Sequence, residues 1–332
     1  MIAKHEDIAV PEKNTACVMT GIGKLAIEDR PLPGEPGDHD VIVAPKQTGL
    51  CLVFVVDTVI SAKRVNVNGQ CGTLKFAAAD GFDGTLQGFW TIPADFAYKL
   101  PTSVSLEEGA LIEPLAVAVM AVASVAKMKH NSNVAVFGAG PVGLLTMAVA
   151  KALGARRILA VDINESRLAF AKSYVATDVH RFEPKAGGED NMTYSKRCAQ
   201  DLRDKFGFAE RGEEGIDLVV ECSGAETCVQ AGIWLVKRRG ICVQVGAGPA
   251  NNLIPMSILV NKEVTLKGSL RYGPGCYALA IDLVRQGRVK LAPLITHRFP
   301  FKDAPLAFES VRKGKGEDGK MTIKVLINGP AS

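Results

Sequence analysis

The chain has little of several residue types on which common function classes depend. Its 332 residues include two Trp and five His, and only 6% are aromatic. The formal net charge is +4, and no basic run is interleaved with aromatic residues, which gives no support for a nucleic-acid partner. Charged residues interrupt every long apolar stretch, so the sequence predicts no membrane span. These absences leave an enzyme or a small-molecule binding protein.

Paired cysteines and a secretory leader are also missing. The eight cysteines are scattered without a Cys-x-x-Cys pair, which favours reduced thiols over a disulfide framework. The N-terminal stretch MIAKHEDIAVPEKN carries charges where a secretory signal would be apolar. We therefore expect a cytoplasmic protein. Because 332 residues exceed the size at which a single core stops growing, we also expect two domains.

Glycine is plentiful, and its most informative use is in residues 134–162, VAVFGAGPVGLLTMAVAKALGARRILAVD. Gly138, Gly140 and Gly143 follow an apolar run and open a helix of small residues. This order predicts a strand, a tight turn and a helix that hold the pyrophosphate of a dinucleotide. The first glycine permits the turn, the second lets the backbone approach the diphosphate, and the third lets the helix pack on the strand. The helix N-terminus then faces the anion.

An acidic residue ends the second strand of the same unit. Asp162 stands where a carboxylate can accept both hydroxyls of an adenosine ribose and would repel a 2′-phosphate. Ile163 and Asn164 offer no cation, so the pattern favours NAD over NADP. Arg167 is either a contact to the adenine side or a solvated arginine in the first turn of a helix.

The hydrophobic pattern changes twice along the chain. Residues 16–100 contain short β-like runs separated by Pro, Gly and Asp, which predicts an antiparallel, barrel-like domain. Residues 106–126 predict one long helix, and strands and helices then alternate up to residue 268, as in a doubly wound sheet. Within that region the polar segment 183–215 predicts an exposed helix with mobile flanks. The tail from residue 276 is expected to return to the first domain.

Several stretches resemble the polyol branch of the medium-chain zinc dehydrogenases, which includes the xylitol and sorbitol dehydrogenases. They include EEGALIEPLAVAV at 107–119, VECSGAE at 220–226 and KEVTLKGSLRYG at 262–273. The resemblance implies an NAD-dependent enzyme that interconverts a polyol and its ketose by zinc-assisted hydride transfer. It also implies a homo-dimer or homo-tetramer. The implied α/β fold is a Rossmann domain, residues 126–271, inserted into a GroES-like β-barrel domain, residues 1–125 and 272–332, with the barrel truncated.

The resemblance also assigns candidate site residues. Arg271 and Tyr272 match residues that bind substrate hydroxyls, and five N–H donors suit arginine to a polyhydroxylated chain. The alternative for Arg271 is a salt bridge at a domain interface. Cys51 and Glu113 match ligands of the catalytic zinc. The cofactor contacts implied are Gly138, Gly140, Val142, Gly143, Asp162, Arg167, Val245, Gly246, Ala247, Ser269 and Leu270.

The resemblance stops between Cys51 and Cys71. The family has a Gly-His-Glu motif and a four-cysteine lobe around a structural zinc, and residues 52–70 replace both without matching either. Cys71 corresponds to the last of the four structural cysteines, so the structural zinc site is lost. A catalytic zinc takes three protein ligands, whereas Cys51 and Glu113 supply two. The catalytic zinc site is therefore expected to be incomplete.

Three hypotheses remain open from the sequence. The first is an NAD-dependent polyol dehydrogenase. The second is a zinc-free reductase of the same superfamily, whose activity would be insensitive to chelators. The third is a non-enzymatic NAD-binding or interaction protein, such as a catalytically inactive remnant from a truncated gene model, or a misfolded product. A faulty gene model, with residues 52–70 as translated intron sequence, is also compatible with the first hypothesis.

Overall fold

The computed structural model describes residues 13–21, 24–50 and 84–330, which divide between two compact units. The first unit runs to Leu111 and resumes at Leu294, and the second unit is Ile112–Pro293. Cys51, Cys71 and residues 52–70 lie outside the described residues.

The described strands are β1 Asn14–Gly21, β2 Lys24–Arg30, β3 Asp40–Val43, β4 Gln47–Leu50, β5 Trp90–Pro93, β6 Asn133–Phe137, β7 Arg157–Asp162, β8 Asp178–Arg181, β9 Leu218–Glu221, β10 Ile241–Gln244, β11 Thr265–Gly268, β12 Ile295–Phe299 and β13 Lys324–Asn328. The described α-helices are α1 Leu106–Gly109, α2 Ile112–Val119, α3 Pro141–Ala152, α4 Glu165–Tyr174, α5 Asn191–Phe206, α6 Glu226–Leu235, α7 Met256–Asn261, α8 Cys276–Arg285 and α9 Ala304–Lys313. A π-helix, Met120–Val125, continues α2. None of the helices in the described part of the chain combines the length and the apolar character that a bilayer crossing requires.

The second unit is built on a six-stranded sheet in the order β11-β10-β9-β6-β7-β8. All of its strand pairs are parallel. The chain builds one half of the sheet outward from β6 and then crosses back to add β9, β10 and β11 on the other side. This is the doubly wound order, in which ligands bind at the carboxyl ends of the strands where the direction of winding reverses. The α/β fold class predicted from the sequence is confirmed.

Residues 106–126 do not form the single long helix that their apolar character predicts. α1 ends at Gly109, α2 begins at Ile112, and the π-helix follows. Pro114 has no backbone N–H, and in a continuous helix its ring would clash with the carbonyl group of Ala110. The helix therefore restarts at Ile112, with Pro114 in its first turn.

The boundaries of the second unit differ from the predicted residues 126 and 271. α2 packs against both α3 and α8, so both α2 and α8 belong to this unit. At that contact the Sγ atom of Cys276 lies 3.9 Å from the Sδ atom of Met120. Of the tail from residue 276, β13 lies in the first unit and α8 lies in the second.

The helix in the polar segment 183–215 is not simply exposed. α5 buries a face that includes Tyr194, Cys198 and Leu202 in the same core as Phe137 of the central strand. Their spacing of four residues places them on one side of the helix. The many charged residues between them hid this apolar stripe in the sequence.

The first unit contains three small sheets in its described part. β1 pairs with β2, β3 pairs with β5, and β13 lies between β12 and β4. β13 comes from the chain's C-terminal part and pairs antiparallel with β4, so the unit is discontinuous in sequence. Around this sheet Leu50, Leu86, Phe301, Val325 and Ile327 form a buried cluster.

Candidate dinucleotide and substrate site

The three glycines of the turn after β6 have different structural environments. Gly138 has a φ of +94°, and a Cβ there would lie 3.1 Å from the backbone N of Ser223. A Cβ on Gly143 would overlap the carbonyl oxygen of Gly138, so α3 can approach the turn this closely only with glycine. Gly140, the N-cap of α3, faces open space. That space lies at the positive end of a helix, where an anion binds.

Asp162 is held in place at the end of β7. Its side chain is buried, with Oδ2 accepting a 2.7 Å hydrogen bond from the backbone N of Ala139 and Oδ1 accepting a 2.8 Å bond from that of Asn164. Each carboxylate oxygen can accept a second hydrogen bond, so both can still receive a ribose hydroxyl. The backbone N of Arg167 donates to Oδ1 of Asn164, the N-cap of α4. Asp162 thus joins the glycine turn to the start of α4.

A second buried carboxylate, which the sequence analysis did not assign, ends β9. The side chain of Glu221 accepts hydrogen bonds from the backbone N of Ser223 at 2.7 Å and of Gly224 at 2.9 Å. It also accepts from the Ser223 hydroxyl and from Nε2 of Gln244 at 2.6 Å. The sequence feature that could have identified Glu221 is an acid at the end of an apolar run, as at Asp162. The sequence analysis used Glu221 only as part of the VECSGAE stretch that carries the family resemblance.

The loop after β10 is fastened to the same residue. The backbone N atoms of Val245 and Gly246 donate to the carbonyl oxygen of Glu221 at 2.8 and 2.9 Å. A Cβ on Gly224 would overlap the carbonyl oxygen of Ala247, so the loops after β9 and β10 are in close contact. The carboxyl ends of β6, β7, β9 and β10 therefore carry one continuous set of loops, at the edge where a doubly wound sheet binds its ligand.

Two buried polar atoms at this edge have no hydrogen-bond partner among the described residues. They are Oε1 of Gln244 and Oγ of Ser269. The two residues are adjacent, since the backbone N of Ser269 donates to the carbonyl oxygen of Gln244 at 2.8 Å. Buried polar groups are rarely left unpaired, so these atoms are suited to a polar ligand. Leu270, next in the chain, is 59% exposed, and Val142 lies in the first turn of α3. The residues present therefore fit a dinucleotide.

The two residues assigned to substrate binding, Arg271 and Tyr272, come directly after Leu270 in the chain. Arg271 has a φ of +51°, a strained value for a residue with a side chain and one that occurs at functional sites. Tyr272 is buried, and its ring packs perpendicular to that of Tyr277 with the centroids 4.8 Å apart. Glu113 lies in the first turn of α2, within the same unit.

The described residues do not complete a metal site. No group of three or more His, Cys, Asp or Glu side chains within residues 13–21, 24–50 and 84–330 is arranged to hold a metal ion. Of the two predicted zinc ligands, Glu113 is described and Cys51 lies outside the described residues.

The cysteines near the dinucleotide edge do not supply a reactive thiolate. Burial raises the pKa of Cys222 to about 12 and that of Cys228 to about 11. Both thiols are protonated at neutral pH, and the thiolate is the nucleophilic and metal-binding form. The chemistry at this edge therefore depends on backbone N–H groups and carboxylates.

The chain is similar to known dehydrogenases along almost its whole length. It is 38% identical to the probable D-xylulose reductase A of Neosartorya fischeri, over 96% of this chain and 97% of that protein. Residues 141–286 match the family model described as zinc-binding dehydrogenase. The chain belongs to the zinc-binding dehydrogenase family. The family predicted from the sequence is confirmed.

Solved structures agree with this dehydrogenase fold. The 2R,3R-butanediol dehydrogenase of Bacillus subtilis matches with a TM-score of 0.78 at 22% identity, over 95% of this chain and 99% of that one. An Escherichia coli alcohol dehydrogenase (rspB) complexed with NADH matches with a TM-score of 0.81 at 19% identity, over 96% of this chain and 100% of that one. At these identities the likeness supports the fold.

Part of the alignment with the D-xylulose reductase has no counterpart in this chain. The alignment with the Neosartorya fischeri protein runs over 366 positions, whereas the chain has 332 residues, so at least 34 positions of the alignment have no residue in this chain.

Proposed function

We propose that this chain is an NAD-dependent oxidoreductase that interconverts a polyol, such as xylitol or sorbitol, and its ketose. The observation that carries the proposal is the fixed carboxylate of Asp162 beside the glycine turn, in a chain 38% identical to a D-xylulose reductase over nearly its full length. NAD supplies the hydride acceptor when it is bound.

Each part of the carboxyl edge has one role in this proposal. The N-terminus of α3 binds the diphosphate beside Gly140, and Asp162 accepts the ribose hydroxyls. The loop of Val245, Gly246 and Ala247, together with Ser269 and Leu270, holds the nicotinamide end. Arg271 and Tyr272 donate hydrogen bonds to substrate hydroxyls, which orients the carbon that loses hydride.

The catalytic zinc has two proposed ligands in this chain. Cys51 and Glu113 are the proposed ligands, and a catalytic zinc needs a third protein ligand. A zinc-free reductase is the competing function and differs in being insensitive to chelators. The whole-chain identity to D-xylulose reductases favours the polyol dehydrogenase over both the zinc-free reductase and the inactive remnant.

We further propose a homo-dimer in the cytoplasm. β11 pairs with β10 on one side, and its other edge has no strand partner in the described part of the chain. Leu266 on β11 is exposed, as are Leu253, Met256 and Val260 in the segment that precedes this strand in the chain. An open strand edge with apolar neighbours is suited to a second copy related by a twofold axis.

The proposed cytoplasmic location rests on the cysteines. The six described cysteines are all free, which fits a reducing compartment.

The test is the reduction of NAD by the purified full chain with xylitol and with sorbitol, and elemental analysis of zinc on the same chelator-washed sample. We expect turnover with NAD in preference to NADP. Asp162→Ser removes the repulsion of a 2′-phosphate and should lower the NAD-to-NADP ratio of kcat/KM at least tenfold.

The outcomes separate the three hypotheses. Turnover with about one zinc per chain supports the zinc-dependent enzyme, and polyol turnover that survives complete removal of zinc supports zinc-free chemistry. NADH binding without turnover on any polyol supports the inactive remnant and contradicts the proposal.

A further inference from the structure

A basic cavity lies in the second unit at the opposite edge of the sheet from the glycine turn. It has a volume of about 320 Å³. It is lined by residues 211–212, 237–239 and 261–263, which precede β9, β10 and β11. Because these segments lead into the strands, the cavity is at their amino ends. It is therefore separate from the proposed dinucleotide site.

Positive charge dominates this basic cavity. Five cations line it, and Glu263 is the one acid among the lining residues. Arg239 is paired with Glu263 at 2.6 Å, and Lys237 is paired with Asp217 at 2.5 Å. The remaining three cations have no carboxylate within ion-pair distance in the described part of the chain: Arg211, Arg238 and Lys262.

Two of these three cations have N–H groups that the described residues leave unmatched. Lys262 is only 5% exposed, and its Nζ donates to the carbonyl oxygens of Trp234 at 2.7 Å and Ile233 at 3.2 Å, which uses two of its three donors. Arg238 donates from Nη1 to the carbonyl oxygen of Asn261 at 2.8 Å. Its buried Nε has no acceptor among the described residues.

Burying the charged form of Lys262 is energetically unfavourable. Burial, with Arg203 and Arg238 adding to it, lowers the pKa of Lys262 to about 8, and Glu210 and Cys242 act in the opposite direction. The backbone is strained beside it, since Arg239 has a φ of +63° and Glu263 a φ of +53°. A buried cation without a carboxylate partner is destabilising, and an anion bound from outside would supply the missing negative charge.

We propose that this cavity binds the phosphate group of a small phosphorylated metabolite. A phosphate presents several acceptor oxygens and up to two negative charges, which match the three unpaired cations and the open Nε of Arg238. The volume is within the range of small-molecule sites. Apart from Gly212, every residue that lines the cavity has a charged or polar side chain, which favours a polar ligand over a hydrophobic one.

The test is isothermal titration calorimetry on the full chain saturated with NADH, so that phosphate cannot bind at the dinucleotide edge. The probes are inorganic phosphate and glycerol 3-phosphate, with glycerol as the uncharged comparison. We expect saturable binding of both phosphates and none of glycerol. Arg211→Gln combined with Arg238→Gln should weaken phosphate binding at least tenfold, whereas Lys151→Gln, which removes an exposed charge elsewhere on the unit, should leave it unchanged.

Proton uptake gives a second readout. A bound anion raises the pKa of Lys262, so at pH 8 binding draws protons from the buffer, and the measured heat changes with the buffer's ionisation enthalpy. Lys262→Met should abolish that uptake. Absence of saturable binding, or equal binding by wild type and the variant that combines Arg211→Gln with Arg238→Gln, would overturn the proposal. Neither result depends on turnover, so the polyol activity stands or falls separately.

Discussion

At the scale of single residues, two carboxylates end buried strands and are satisfied by backbone N–H groups. Asp162 fixes the glycine turn, and Glu221 fixes the loops after β9 and β10.

The Glu221→Gln substitution keeps the shape of the side chain but points an NH₂ group at backbone N–H donors. We expect this to lower the free energy of unfolding by about 1–3 kcal/mol and to weaken NADH binding about tenfold, because the loop at the nicotinamide end loses its anchor. Urea unfolding and NADH fluorescence titration measure the two effects.

The matched control for Glu221→Gln is Glu214→Gln, because Glu214 is an exposed carboxylate that pairs with Arg156. An exposed pair contributes little, so both measurements should stay near wild type. If Glu221→Gln lowered stability and left NADH affinity unchanged, Glu221 would be a purely structural residue.

The sequence revealed Asp162 because its distance from the glycines belongs to a known pattern. Glu221 has the same position at the end of a strand, but its partners at the end of β10, Gln244, Val245 and Gly246, are 23 to 25 residues away, and no local spacing encodes them. Lys262 escaped notice for a related reason, since its burial depends on α6 and α7 packing side by side.

At the scale of the secondary-structure element, two glycines of the β6–α3 turn have different roles. Gly143 allows α3 to pack closely on the turn, and Gly140 leaves room for the diphosphate. Gly143→Ala forces α3 away from the turn and should lower the free energy of unfolding by about 1–3 kcal/mol. Gly140→Ala places a methyl group in open space at a φ of −76°, so stability should be unchanged or rise by about 0.5 kcal/mol. The same methyl group blocks the approach of the diphosphate, and NADH should bind at least tenfold more weakly.

The two alanine variants act as controls for each other in thermal unfolding and NADH titration. A Gly140→Ala protein that bound NADH normally would show that the diphosphate does not approach this residue. A fully stable Gly143→Ala protein would contradict the close contact between α3 and the turn.

Elements around the glycine turn were predicted well because each strand is a short apolar run bounded by Gly, Asp or Glu. The helix over 106–126 was predicted too long, since hydrophobicity alone ignores the missing N–H of Pro114. The apolar face of α5 was missed because its buried residues are separated by charged ones.

At the scale of the whole molecule, the open edge of β11 sets the expected assembly. Leu266→Lys places a charge on the proposed interface and should convert a dimer to a monomer, because a buried unpaired charge is costly. Size-exclusion chromatography with light scattering measures the mass. Leu306→Lys, which changes an exposed leucine of the first unit, should leave the mass unchanged. A wild-type monomer at all concentrations would refute the edge as an interface.

The order of strands in the larger sheet was predictable, since alternating strands and helices permit few arrangements. The unit boundaries were harder to predict, because α2 and α8 are distant in sequence and their packing on each other, and of α2 on α3, is a tertiary contact.

The two hydrogen bonds that fix Asp162 have a consequence for the timing of binding. The carboxylate holds its orientation before any ribose arrives, so association at the adenosine end need not wait for a side-chain rearrangement. Dinucleotides that differ at the 2′ position should then encounter the protein at similar rates. Their affinities would then differ mainly through their dissociation rates.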